Sequence, residues 1–174
     1  MRAKQFITEL ADWPYDFKVW SYGDDSTAYE FTTDAGNKYV VDIATLDMDG
    51  DRGVKVDFGL LTGETKHQGV TMSSFNSDVT GTGDAARVFS TVRDIVWKSI
   101  NKSYPPTHHK RKPVKYIVFA GKDADPSRVR LYQRIARNSA KYFPGFQLTS
   151  AVQTEVAPDV SGIQWTLTRN NQKP

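Results

Sequence analysis

Cysteine is absent from the 174 residues, so the chain can hold no disulfide framework, thiol nucleophile or thiolate-bound metal. Imidazole is scarce too, with His67, His108 and His109 the whole supply. Adjacent histidines do not form a helical zinc pair, so no metal is expected. Long apolar runs are missing: the longest, Tyr116 to Ala120, is far too short to cross a bilayer as a helix, and no membrane partner is expected. No charged-then-apolar leader precedes Gln5, which makes a cytoplasmic location the expectation. What is present opposes disorder, with 4 Trp, 8 Tyr, 9 Phe and 39% apolar residues. A chain of this length can bury a substantial core as one domain.

The net charge of +3 conceals an asymmetry. Residues 1–87 carry 8 Lys/Arg against 15 Asp/Glu, whereas residues 88–174 carry 15 against 5. A split of this size suits either a basic face for an anionic macromolecule or a homo-oligomer in which opposite halves meet.

After an N-terminal lead-in over 1–16, residues 17–79 read as strands. Phe17 to Tyr22 alternates and ends at a glycine, and Ala28 to Thr33 is β-rich. Asp34-Ala35-Gly36-Asn37 is a turn signal before Lys38 to Leu46, so these runs predict a hairpin. Asp47 to Gly53 reads as a second turn, Val54 to Leu61 as a strand, Thr62 to Gln68 as a polar loop, and Gly69 to Phe75 as a weaker strand. Apolar residues at Val88, Phe89, Val92, Ile95, Val96 and Ile100 then predict an amphipathic helix over Asp84 to Asn101. Val114 to Ala120 reads as a buried strand. A helix opened by Asp125-Pro126-Ser127 runs toward Phe143, and Phe146 to Val156 and Gly162 to Thr168 close the chain as strands. The expected fold is a mixed α+β domain, mainly antiparallel, with a βαβα unit over 80–143 and closing strands over 146–168.

Thr80-Gly81-Thr82-Gly83-Asp84-Ala85 joins strand-like sequence to the long helix. Such a turn can aim backbone N–H groups and the helix dipole at a phosphate, and glycine permits close approach. No Gly-Lys-Ser/Thr follows, so it is not a Walker loop, and no third glycine completes a dinucleotide fingerprint. A tight strand-to-helix turn with no ligand accounts for these residues equally well.

On this turn and the order around it, the chain resembles the GNAT-type N-acetyltransferases. In that family a strand runs into a Gln/Arg-x-x-Gly-x-Gly/Ala loop that holds the pyrophosphate of acyl-coenzyme A. A helix, a strand and a second helix follow, the last often bearing a Leu-Tyr whose tyrosine is a general acid. Gly81-Thr82-Gly83 would occupy the loop and Leu131-Tyr132 the second helix, and Phe143-Pro144-Gly145-Phe146 is similar to the Gly-Phe that ends it. Asp78 stands where the family has Gln or Arg, and Asp84 follows the glycines. The resemblance implies acetyl-CoA bound at Thr80 to Ala85, an amine acceptor attacking the thioester directly, and Tyr132 protonating the thiolate. The turn-helix sequence and Ser127-Arg128 with Leu131-Tyr132 also look like uncharacterised proteins of tailed bacteriophages, which implies a host-cytoplasmic or virion location.

Each remaining constellation has a plainer counterpart. Tyr132 lies on the apolar stripe of its helix and suits a core tyrosine. Asp57 could be a general base, or simply an outward strand carboxylate. Asp47-x-Asp49-Gly50-Asp51 starts like a calcium loop, but Arg52 and Phe58 occupy the positions of its glycine and glutamate, so a turn is expected. Arg130, Arg134, Arg137 and Lys141 form a charged helical stripe, and Lys110, Arg111 and Lys112 a basic loop. Either could engage phosphates or be solvated surface. The loop lies at the far end of the first helix from the glycine turn, roughly 25 Å away at 1.5 Å per residue, so one small ligand would not reach both.

Overall fold

Turn chemistry shapes the strand-rich half. The computed structural model describes residues 13–23, 25–67, 70–76, 85–101, 113–122 and 126–170. Strands β1 (Phe17–Tyr22), β2 (Ser26–Thr32) and β3 (Lys38–Met48) come first. The expected β2–β3 turn closes with Gly36 at φ 82°, its N–H bonded to the Thr33 carbonyl at 2.8 Å. β3 passes into β4 (Asp51–His67) through Asp49 and Gly50, at φ 55° and 80°, the positive values a two-residue hairpin turn requires. The Asp47 carboxylate accepts the Gly50 N–H at 2.8 Å, so this acidic run serves the turn.

β4 is longer than the apolar pattern implies. Thr62 to His67, expected as loop, extends the strand by pairing with β5 (Val70–Asn76), from Leu60↔Asn76 to His67↔Val70. The register shifts between Leu61 and Gly63, leaving Thr62 as a bulge. Backbone pairing, not hydrophobic alternation, makes this part of the strand.

Helix α1 (Ala85–Asn101), β6 (Tyr116–Lys122), α2 (Pro126–Arg137), α3 (Ser139–Tyr142), β7 (Phe146–Ala157) and β8 (Val160–Arg169) follow. The helix expected to run unbroken toward Phe143 is interrupted at Asn138. Its side-chain amide donates to the Arg134 carbonyl at 2.9 Å, and its N–H is shared between the carbonyls of Arg134 and Ile135. Such local back-bonding competes with continuation of the helical ladder.

Hydrogen bonds link the strands in the order β1-β2-β3-β4-β6-β8-β7, with β5 on β4. β1/β2, β4/β5, β6/β8 and β7/β8 pair antiparallel, while β4/β6 is parallel. The architecture is mixed α+β with a mostly antiparallel sheet.

The chain divides into two compact units. One comprises Met1–Asp42 and Phe58–Val96, the other Ile43–Asp57 and Trp97–Pro174. In the first, Tyr15, Phe31 and Tyr39 stack in sequence, with ring centroids 6.0 and 5.3 Å apart. The Tyr15 N–H reaches Thr91 Oγ1 on α1 at 2.8 Å, and the Arg87 guanidinium lies 3.8 Å over the Tyr15 ring. Arg87 also pairs with Asp34 at 2.7 Å and donates from Nε to the Trp13 carbonyl at 3.1 Å. The end of the lead-in is thus clamped on α1. Val88, Val92, Ile95 and Val96 are buried at the spacing the periodicity predicts, each worth about 1.5–3 kcal/mol of apolar burial.

In the second unit, Ile117 pairs with Leu167 and Phe119 with Trp165, which puts all four on one sheet face. Phe119 meets Tyr132 of α2 and Phe143 beyond α3, with centroids 5.3 and 6.2 Å apart. Gly121 continues this face. A Cβ there would come within 3.2 Å of Val129 and 3.5 Å of Tyr132, so the missing side chain lets α2 approach β6.

Candidate functional site

In sheets with parallel strands, ligands gather at the carboxyl ends of those strands. The parallel ladder here runs from Gly53↔Tyr116 to Val56↔Phe119. Beyond Phe119, β6 continues to Lys122 in partnership with β8. Asp57 and Gly121 therefore stand just past the carboxyl end of the ladder, and Tyr132 packs beside Gly121.

Tyr132 is wholly buried. Its ring meets Phe119 and, edge-on at 6.0 Å, Trp165. The helical periodicity that marks it as a core residue agrees with this position, which also lies near the ladder's end.

Asp57 occupies a different environment. Its side chain is 42% exposed and its carboxylate lies 3.1 Å from Lys55 Nζ, two residues back on the same strand. Strand alternation puts Asp57 on the opposite face from Val56. Val56 pairs with Phe119, the residue that touches Tyr132. Tyr132 and Asp57 thus belong to opposite faces of the sheet, and the fold does not bring them together as an acid–base pair.

The remaining expected positions divide between described and undescribed segments. Thr80, Gly81, Thr82, Gly83 and Asp84 lie outside the described residues, as do Lys110, Arg111 and Lys112. Ala85 opens α1. Arg130, Arg134, Arg137 and Lys141 are all exposed, while Tyr132, Ile135, Ala136 and Ser139 turn inward. Among the described residues no group of three or more His, Asp or Glu side chains could hold a metal ion, and no helix is long and apolar enough to cross a membrane.

Two polar clusters escape the sequence reading. The Arg87–Asp34–Trp13 contacts join residues 53 and 74 positions apart, a separation no local pattern encodes. Lys115 is the second. Its N–H bonds the Arg52 carbonyl, its carbonyl accepts the Arg169 N–H, and its ammonium pairs with Asp51. The hydrogen bond to Asp51, with support from Tyr116, holds the ammonium above its ordinary value of 10.5. A lysine raised by folding adds stability below its unfolded value and loses it as pH climbs through the folded one. Lys115→Met is therefore expected to lower the urea midpoint slightly at about pH 8, and the gap to wild type should close as pH climbs through the raised value of the folded lysine. A gap that persists at alkaline pH would assign the effect to packing.

Comparison of the chain with protein-family models, with curated proteins and with solved structures gives no significant match.

Proposed function

We propose that this chain is an acetyltransferase-like protein that binds acyl-coenzyme A and passes the acyl group to an amine. The reading rests chiefly on the parallel Gly53–Val56/Tyr116–Phe119 ladder within a mostly antiparallel sheet. The connection between these strands runs through β5, the glycine-rich stretch and α1, and two helices and two closing strands follow. The strand–helix–strand–helix run within that order is what supports the GNAT reading.

In this reading the backbone N–H groups of Thr80 to Ala85 hold the pyrophosphate at the start of α1. The thioester supplies an activated acyl carbon and a thiolate leaving group, so a C–N bond forms as the C–S bond breaks. The Tyr132 hydroxyl gives its proton to the departing sulfur, and the amine's surplus proton passes to water. Asp57, on the opposite pleat, takes no part.

Acetyl-coenzyme A at about millimolar concentration is expected to raise the melting temperature, because a ligand that binds only the folded state stabilises it. Asp84 falls within the proposed anion-binding stretch, where a carboxylate opposes pyrophosphate by ~1 kcal/mol. Asp84→Asn should therefore tighten binding about fivefold, and Gly83→Val should abolish it. No thermal shift with the wild-type protein at millimolar ligand would overturn the proposal.

A further inference from the structure

Helices α2 and α3 present an outward face that the acyl-transfer reading leaves unused. Pro126–Arg137 and Ser139–Tyr142 contain no acidic residue. Arg130, Arg134, Arg137 and Lys141 are exposed on that face, and among the described residues no ion pair engages them. Within α2, steps of four and three residues put Arg130, Arg134 and Arg137 on successive turns, about 5.4 Å apart along the axis, and Lys141 follows on α3 beyond the break at Asn138. The unit that carries them has 16 Lys/Arg against 8 Asp/Glu, so the surrounding field attracts anions as well.

The helix dipole explains part of this stripe. Arg134 and Arg137 lie in the last turn of α2, where a cation offsets the negative helix end. Lys141 likewise lies in the last turn of the short α3, which leaves Arg130, further back on α2, without such an explanation.

The composition of the face selects the partner. A membrane-surface helix needs large apolar side chains beside its cations. The exposed large hydrophobic residues among those described are Trp13, Val19, Leu148 and Val152, none of them on α2 or α3. Single-stranded nucleic acid is held by stacking on exposed aromatics. Here Tyr132 is buried and Tyr142 only half-exposed. We infer that the exposed α2–α3 face binds the phosphate backbone of double-stranded nucleic acid without reading its sequence. Three cations at turn spacing, with a fourth on the next helix, suit a regularly charged strand, and a backbone-only contact requires no base-reading side chain.

The test is fluorescence anisotropy with a labelled random-sequence DNA duplex, titrated with salt. Each neutralised phosphate contributes about −0.9 to the slope of log K against log salt, so four contacts predict a slope near about −3.6. Affinity should fall about 10²-fold between roughly 50 and 200 mM salt. The variant carrying R130Q, R134Q, R137Q and K141Q should flatten the slope by about three to four, while R130Q or K141Q alone should change it by about one. Circular dichroism melting checks that each variant remains folded, as expected for exposed positions. The inference is overturned if wild-type protein does not bind duplex at low salt, if the fourfold variant binds equally well, or if anionic phospholipid vesicles bind and duplex does not. Acetyl-coenzyme A stabilisation is read separately, so loss of either activity leaves the other interpretable.

Discussion

Gly162→Ala is expected to unfold the second unit or cost it about 3 kcal/mol or more. Gly162 pairs with Lys122 on β6 and with Thr154 on β7, so it lies between two neighbouring strands. A Cβ built there runs into the Gly121 carbonyl oxygen and comes within 2.8 Å of Val156 Cγ2. The valine could change rotamer. The carbonyl is backbone of the adjoining strand and can yield only by disturbing the β6–β8 ladder. Gly145 is the informative control. It takes φ 85° with nothing within 4 Å of an added Cβ, so Gly145→Ala meets conformational strain alone. That costs about 1–2 kcal/mol. Urea midpoints with slopes for the two variants separate these causes. A Gly162→Ala protein that matches Gly145→Ala or wild type would show that β6 and β8 tolerate a side chain at this crossing.

Gly145 is marked locally by the Pro-Gly that ends a helix, whereas Gly162 does not announce its role, and the contrast illustrates what the sequence makes legible. Features written over neighbouring residues are readable: the Asp34–Asn37 turn, the three-and-four periodicity of α1, and the split of Arg130, Arg134 and Arg137 from Tyr132, Ile135 and Ala136. Each depends on spacing within one element. Features that depend on a distant partner are not readable. Thr62 to His67 looks like loop because its side chains are polar, and only β5 makes it strand. Tyr15 looks like part of a lead-in, yet stacks on Phe31 and bonds Thr91. Tyr132 and Asp57 suit an acid and a base by residue type. Whether they share a face depends on the Val56↔Phe119 register, which neither residue's neighbours encode.

Tyr132→Ala is expected to cost about 3–5 kcal/mol, because it removes a fully buried ring and leaves a cavity. The lost contacts are specific: Phe119 at 5.3 Å, Trp165 at 6.0 Å, and the close packing over Gly121. On its own this result would not tell a core residue from a proton donor, since an unfolded protein loses both roles. Tyr132→Phe makes the distinction by preserving the ring and deleting only the hydroxyl. If Tyr132 protonates a departing thiolate, Tyr132→Phe should retain acetyl-coenzyme A stabilisation and lower the rate of acyl transfer about 10²-fold or more. The deficit should also shrink as pH falls, as solvent becomes a better proton source. If Tyr132 serves only packing, Tyr132→Phe should transfer at the wild-type rate while Tyr132→Ala still loses its fold. The comparison tests the acid role without relying on a variant that cannot fold. It also determines whether the position next to Gly121, at the carboxyl end of the parallel ladder, is a reaction centre or the anchor that fixes α2 to β6.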